Sequence, residues 1–564
     1  MKKRLQCGAG YDTIRDITKK QNAALIKRAA AEEKMSKLGV MLDCSRNGVY
    51  SVAALKKYVS VLAKMGYNSL QLYTEEVYEI PEEPYFGYLR GRYTEAELRE
   101  LDAYAAERGV ELVPCIQTLA HLGGLTRWPE YAPCTDISDI LLAGCERTYA
   151  LIENMFRTLS RCFTSRRVNI GMDEAHSIGL GKYLDEHGYC NRFDILKEHL
   201  RRVGEIAAKY GFKPMMWSDM FFRLANHGKY DYRGAEMPKE ITSLVPENVD
   251  LVYWDYYADN KEFYDGMLKA HKKFGRHVVF AGGAWSWMGF APHNSLTLRN
   301  SKFAMQACLE NGVDDIFITT WKDDGAESSL FCNLPTLYAC AEYSRGNFDD
   351  EDIRKKFDAE FDISFDDFMK SDLADACLGK EEFSNPCKYM LYSDPFLGFL
   401  DSTVKDGAGK IFAETAETLA KNVHGEYGYL FRALSDLCCV LEYKSELGVK
   451  TRKAYAKGRK EVQKLLPVYD EVLVRLEKFY DSFSAQWDEE CKQNGFENHD
   501  IRLGGLIRRV THCRKMLAEF AEGKRESIPA LEEKILPFPS ADAPLGKAVC
   551  FNGWHQNAMI KPFM

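Results

Sequence analysis

Between residues 38 and 323 the chain alternates eight short apolar runs with helical patterns, and few architectures accommodate that rhythm. The runs are Leu38–Asp43, Ser69–Tyr73, Val110–Ile116, Val168–Met172, Lys213–Trp217, Asp250–Trp254, His277–Ala281 and Asp315–Trp321. After the first run, Leu55, Val59, Leu62 and Met65 recur at helical spacing on one face. Gly66, Gly109, Gly211, Gly275 and Gly312 stand where preceding helices would end in left-handed backbone. Eight β-α units in roughly 290 residues is what a (β/α)8 TIM barrel requires. A doubly wound α/β sheet would open with a Gly-rich first turn, which is missing.

Beyond residue 345 the period changes. Leu430, Leu434, Leu437 and Leu441 share a helical face, as do Leu465, Val472, Leu476, Phe479 and Phe483. A third stripe runs through Leu503, Leu506, Val510, Cys513, Leu517 and Phe520. These are packing faces, so the barrel is followed by a mostly α-helical C-terminal region. The expected division is a helical N-terminal extension over 1–37, a catalytic barrel over 38–345 and a helical region over 346–564 with an irregular tail from Pro537.

The net charge of -8, from 75 Lys+Arg against 83 Asp+Glu, gives no reason to expect nucleic acid or an anionic membrane as partner. No run of about 18 apolar residues is present to span a bilayer. The basic start Lys2-Lys3-Arg4 leads into the polar Gln6–Lys20 segment, not an apolar signal core, and the 17 scattered cysteines read as thiols. Both point to the cytoplasm.

In a barrel of this kind the chemistry sits at the C-terminal strand ends. There the chain places Asp43 and Arg46 after strand one, His121 after strand three, and Asp173-Glu174 in the sequence Gly171-Met172-Asp173-Glu174-Ala175-His176. Trp217 and Asp219 follow strand five, and Trp254-Asp255-Tyr256-Tyr257 strand six. Trp285-Ser286-Trp287 and Trp321-Lys322-Asp323 follow strands seven and eight. Five of the eight tryptophans therefore collect on one rim, and aromatic faces flanked by carboxylates and an arginine suit a sugar ring. Two adjacent carboxylates repel, and they serve glycosidic hydrolysis when the pair splits into one ionised and one protonated group.

The Gly-Met-Asp-Glu sequence, with Arg46 and the tryptophans after strands five to eight, resembles glycoside hydrolase family 20, the exo-acting β-N-acetylhexosaminidases. The likeness covers residues 38–335 and is nearest to divergent intracellular bacterial members that lack a small α/β domain before the barrel. It implies a retaining reaction in which the substrate's 2-acetamido oxygen attacks C1 to form an oxazolinium ion, with no enzyme nucleophile and no metal or other cofactor. By that resemblance Glu174 is the general acid and base, and Asp173 orients the acetamide. Arg46 and Asp323 hold ring hydroxyls, and His121 stands near the catalytic pair. Trp217, Trp254 and Trp321 enclose the acetamide and support the ring, with Trp285 preferred over Trp287 to complete the wall. The Asp-x-Tyr sequence, whose tyrosine binds the acetamide oxygen, is missing from strand seven, which reads Phe280-Ala281-Gly282-Gly283-Ala284. Asp255 and Tyr257 after strand six are expected in its place, with Tyr256 the alternative. The implied partner is an oligosaccharide or glycoconjugate with a terminal β-linked GlcNAc or GalNAc, and the helical region leaves a homodimer open.

Asp173-Glu174-Ala175-His176 also spells a helicase box, but that motif needs an upstream phosphate loop. The nearest candidate, Gly407-Ala408-Gly409-Lys410-Ile411, lies downstream and ends in isoleucine. A metal-dependent barrel hydrolase would show several histidines at strand ends, and another acetamide-using glycosidase class would show two aspartates. A non-catalytic carbohydrate-binding barrel remains the alternative without chemistry, and it has no need of both carboxylates.

Overall fold

The computed structural model describes residues 36–233, 237–379 and 385–536. The expected N-terminal helical extension and the tail from Pro537 lie outside these, apart from Ser36 and Lys37. Eight parallel strands close into a barrel: β1 Lys37–Asp43, β2 Ser69–Tyr73, β3 Glu111–Cys115, β4 Arg167–Asn169, β5 Lys213–Trp217, β6 Asp250–Trp254, β7 Val278–Gly283 and β8 Asp315–Thr320. Closure pairs β1 with β8 from Lys37 opposite Asp315 to Leu42 opposite Thr320.

Strand alternation decides what fills the barrel and what faces the helices. Met41, Tyr73, Cys115, Met215, Val252, Val279, Ala281 and Phe317 pack together inside, topped by Trp217. Their neighbours Val40, Leu42, Leu70, Leu72, Met216, Leu251, Tyr253, Phe280, Ile316 and Ile318 join the core outside the sheet. The same parity points Trp217 and Trp254, the last residues of β5 and β6, into the barrel mouth.

Local signals set the helix ends. Ser51 caps the helix Val52–Met65 by accepting from the Ala54 N–H, and Gly66 ends it at φ 88°. A Cβ at Gly66 would lie 1.9 Å from Arg345 Nη2, which donates to the Met65 carbonyl at 2.7 Å. Gly66 thus meets both a torsional and a steric requirement.

Several strand ends differ by one to three residues from the sequence reading, and two of them bear on the barrel mouth. β4 ends at Asn169, not Met172, because side chains take over the hydrogen bonding beyond it: Asn169 Oδ1 accepts from Gly171 N, Thr118 donates to the Ile170 carbonyl and Gln117 Oε1 accepts from Met172 N. β8 stops at Thr320, leaving Trp321 in the loop. A small antiparallel pair, Thr135–Ile137 with Ile140–Leu141, lies in the long β3–β4 connection and has no counterpart in the sequence reading.

The helices Gly428–Lys444, Arg459–Glu490 and Glu497–Ala521 bury the three apolar stripes against one another and the barrel. Their attachment is concentrated near the β1 and β8 ends. Ser51 N donates to the Glu490 carbonyl at 2.9 Å, and Leu330 N donates to Glu490 Oε2 at 2.7 Å. Arg502 pairs with Asp324 at 2.8 Å, and Lys388, on the separate short helix Pro386–Tyr392, with Glu327 at 2.8 Å. Among the described residues no helix is long and apolar enough to cross a membrane.

Candidate active site

The barrel mouth holds an open cleft whose lining mixes aromatic rings with Arg46, His121, Asp173, Glu174 and Asp323. Trp217, Trp254, Tyr256, Trp287 and Trp321 form its aromatic side. Tyr256 stacks on Trp254 with centroids 5.3 Å apart, and its hydroxyl accepts from Trp321 Nε1 at 3.0 Å. Trp321 sets its edge against Tyr73 at 4.8 Å and lies 6.0 Å from Trp217.

The wall position goes to Trp287, a correction to the preference for Trp285. Trp285 is fully buried, stacked behind Trp287 at 4.3 Å, and its Nε1 donates to the Tyr256 carbonyl at 2.9 Å. It supports the wall from behind.

The acidic pair sits on a distorted turn. Gly171, Met172 and Glu174 have φ of 73°, 68° and 50°, and two of these are side-chain-bearing residues held in left-handed backbone. Gln117 organises the turn: its Oε1 accepts from Met172 N at 3.1 Å and its Nε2 donates to Asp173 Oδ1 at 2.7 Å. A Cβ on Gly171 would lie 2.0 Å from Gln117 Oε1 and 2.8 Å from the Ile116 carbonyl, so only glycine fits. Asp219 Oδ2 accepts from Glu174 N at 3.2 Å. Asp173 and Glu174 therefore sit on irregular backbone beyond the strand, which ends at Asn169 and not directly before them.

The two carboxylates occupy different surroundings. Asp173 is 9% exposed, and its Oδ2 lies 3.2 Å from His121 Nε2. Burial pushes the Asp173 carboxyl up, but His121 and the Gln117 amide outweigh it and hold it below its ordinary range. Burial opposes charge on His121 too, yet Asp173 prevails and raises it to about 10. Glu174 is more open, with its side chain 42% exposed, and its Oε1 lies 3.5 Å from Arg223 Nη2.

The His121–Asp173 pair has a pH signature. A histidine raised on folding contributes stability that is complete below its unfolded value of about 6.5 and is lost as pH climbs through about 10. His121→Gln is thus expected to cost more stability at pH 6 than at pH 10.5, read from paired denaturation curves. An equal cost at both values would show that the pair does not titrate this way.

On the opposite side, Arg46 Nε donates to Asp43 Oδ2 at 2.9 Å, Nη2 lies 3.0 Å from Asp323 Oδ1, and Nη1 lies 3.7 Å from Glu75 Oε1. Its guanidinium faces the rings of Tyr73 and Trp321 at 5.9 and 5.7 Å. Burial, opposed by Arg46, pushes Glu75 up to about 8 and Asp323 to about 6. Burial, together with Asp173 and against Arg223, pushes Asp219 to about 7.

Of the sequence-derived site residues, Arg46, His121, Asp173, Glu174, Trp217, Trp254, Tyr257, Trp321 and Asp323 line the cleft together. Asp255 does not. It accepts from the Tyr253 hydroxyl at 2.9 Å and from the N–H groups of Tyr257 and Ala258 at 2.9 and 3.0 Å, fixing the turn that presents both tyrosines. Tyr257 is 44% exposed at the rim, whereas Tyr256 is buried in the floor. The sequence reading missed Tyr73, Glu75, Gln117 and Arg223. The Asp219–Arg223 spacing of four on a helix was the available signal for the last. Among the described residues no three His, Cys, Asp or Glu side chains converge to hold a metal.

Comparison with known proteins gives two matches. The glycosyl hydrolase family 20 catalytic domain matches residues 38–281, and the glycoside hydrolase 20C C-terminal domain matches residues 366–549. Hexosaminidase D of Homo sapiens is 24% identical over 352 residues, 56% of this chain and 66% of its own length. A beta-hexosaminidase of Vibrio furnissii is 26% identical over 234 residues, 34% of this chain and 37% of its own. Among solved structures, a family 20 exo beta-N-acetylglucosaminidase of Vibrio harveyi aligns with a TM-score of 0.46 at 15% identity, over 60% of this chain and 59% of that one. The chain thus spans less than two thirds of the length of each of these relatives. Carrying these two domains in sequence order, the chain belongs to glycoside hydrolase family 20.

Proposed function

We propose that the cleft removes terminal non-reducing β-linked GlcNAc or GalNAc by a retaining, substrate-assisted reaction. The observation that carries this reading is the contrast between the two consecutive carboxylates. Asp173 is buried and held ionised by His121 and Gln117, while Glu174 opens onto a cleft walled by aromatic rings.

In this reading the acetamide oxygen bonds to C1 as the C1–O bond breaks, and Glu174 gives its proton to the departing oxygen. Asp173 accepts from the acetamide N–H and supports the positive charge that develops on it, the task of a preorganised anion. Water then attacks C1, returning a proton to Glu174. Holding the substrate's own nucleophile beside C1 supplies part of the rate through proximity. Arg46 presents a planar fork of donors to neighbouring hydroxyls, and Asp323 accepts from another. Trp217, Trp254, Trp287 and Trp321 form the apolar surroundings, and Tyr256 or Tyr257 donates to the acetamide oxygen. The catalytic unit is taken as residues 38–345, with the helices between 346 and 536 as its support.

The test is turnover of aryl β-N-acetylglucosaminide and β-N-acetylgalactosaminide with and without a thiazoline analogue of the oxazolinium. Hydrolysis that the thiazoline blocks supports the reading, and the ratio of the two rates sets the preferred sugar. A folded protein that turns over neither substrate would shift the assignment to a binding barrel.

A further inference from the structure

We propose that Arg223, seated on the buried Asp219, is a positioning residue that holds the Glu174 carboxyl in line for proton transfer to the departing oxygen. This rests on the hexosaminidase reading of the same cleft.

Arg223 and Asp219 lie one turn apart on the short helix Asp219–Ala225 that follows β5. Arg223 Nε donates to Asp219 Oδ2 at 3.1 Å while Nη2 reaches Glu174 Oε1 at 3.5 Å, so one guanidinium spans both carboxylates. The Asp219 oxygen that receives Nε also accepts from Glu174 N, fixing that residue in its left-handed conformation. Asp219 therefore sets Glu174 twice, through its backbone and through the cation beside its side chain. The faces of Tyr230 and Trp254, 5.7 and 5.8 Å from the guanidinium, hold Arg223 from the other sides.

The arrangement also carries a cost that a purely structural pair would avoid. Asp219 is fully buried, and its Oδ1 has no hydrogen-bond partner among the described residues. Burying a carboxylate incompletely satisfied is unfavourable, and outlay of this kind is concentrated at functional sites. Lysine would reproduce only part of the bridge, because a single ammonium keeps the charge but lacks the fork of donors that reaches two acceptors at once.

The experiment compares hydrolysis of phenyl and 2,4-dinitrophenyl β-N-acetylglucosaminides by the unaltered protein, Arg223→Met, Arg223→Lys and Asp219→Asn. The phenyl leaving group needs protonation and the dinitrophenyl group does not. The expected result for Arg223→Met is a loss of about 10- to 100-fold in kcat for the phenyl substrate and less than about threefold for the dinitrophenyl substrate. Arg223→Lys should recover part of the phenyl activity, and Asp219→Asn should show the same selective loss. Arg223→Lys keeps the charge and nearly the volume, so it gives the answer should Arg223→Met not fold. If both substrates fall equally, or neither does, while the unaltered protein is active, the positioning role is overturned and the hexosaminidase reading stands. An unaltered protein inactive on both would overturn the reading and this inference together.

Discussion

Glu174→Gln is expected to lower kcat on an aryl N-acetylhexosaminide with a poor leaving group by about 10²- to 10⁴-fold. That corresponds to about 2.7 to 5.5 kcal/mol of transition-state stabilisation. The substitution keeps the side chain's size and its place near Arg223 and His121, so the loss reports the missing proton and not a collapsed cleft. Asp173→Asn should behave differently. It removes the anion beside the acetamide, so activity should fall on good and poor leaving groups alike. A glutamine variant that retained full activity on the poor leaving group would remove Glu174 from its role.

The second large effect concerns stability. Lys388 and Glu327 are each 1% exposed at the side chain and form a buried ion pair at 2.8 Å, flanked by Asp324 and Arg502. Removing one partner of such a pair leaves an uncompensated buried charge, which costs about 3 to 5 kcal/mol. Lys388→Met should therefore lower the urea midpoint by a corresponding amount, whereas changing Lys388 and Glu327 together to apolar residues should restore most of it. The effect should also reach the cleft. Asp324, Gly325 and Ala326 sit at φ of 52°, 128° and 51°, and this strained turn begins one residue after Asp323. Loosening it is expected to raise KM more than it lowers kcat. A single variant as stable as the parent would show that the pair is solvated or redundant.

The strands and rim tryptophans were legible because they follow a short period. Alternation along β5 and β6 fixes which way Trp217 and Trp254 point, and the sequence carries that alternation openly. What was not legible depends on side chains that replace backbone pairing. The end of β4 at Asn169 is set partly by a local bond, Asn169 Oδ1 accepting from Gly171 N, and partly by Gln117, more than fifty positions earlier, accepting from Met172 N. Trp285 and Trp287 lie in an irregular segment where parity no longer predicts direction, so the choice between them fell the wrong way. Asp255 matched a family pattern by its neighbours but spends its oxygens on the turn. Glu75 became visible only once the loops were placed, and the spacing of Asp219 and Arg223 marks a helix pair without showing that Arg223 reaches Glu174.

The seam between β1 and β8 has a consequence for how this protein comes into being. Ser36 bonds to the Asp314 carbonyl across 278 positions, and the Arg46–Asp323 contact of 3.0 Å crosses the same seam. A growing polypeptide that has emitted seven strands carries Arg46, the acidic pair and most of the aromatic wall, yet its sheet still has two open edges. Such long-range closure is slow relative to local folding. In the proposed reading half of the hydroxyl grip, Asp323, arrives only with the residues that shut the barrel. Sugar-binding competence should therefore be gained at a single late point during synthesis, as the last strand docks, and a chain released before residue 323 would display the cleft's aromatic surface without the means to grip a sugar.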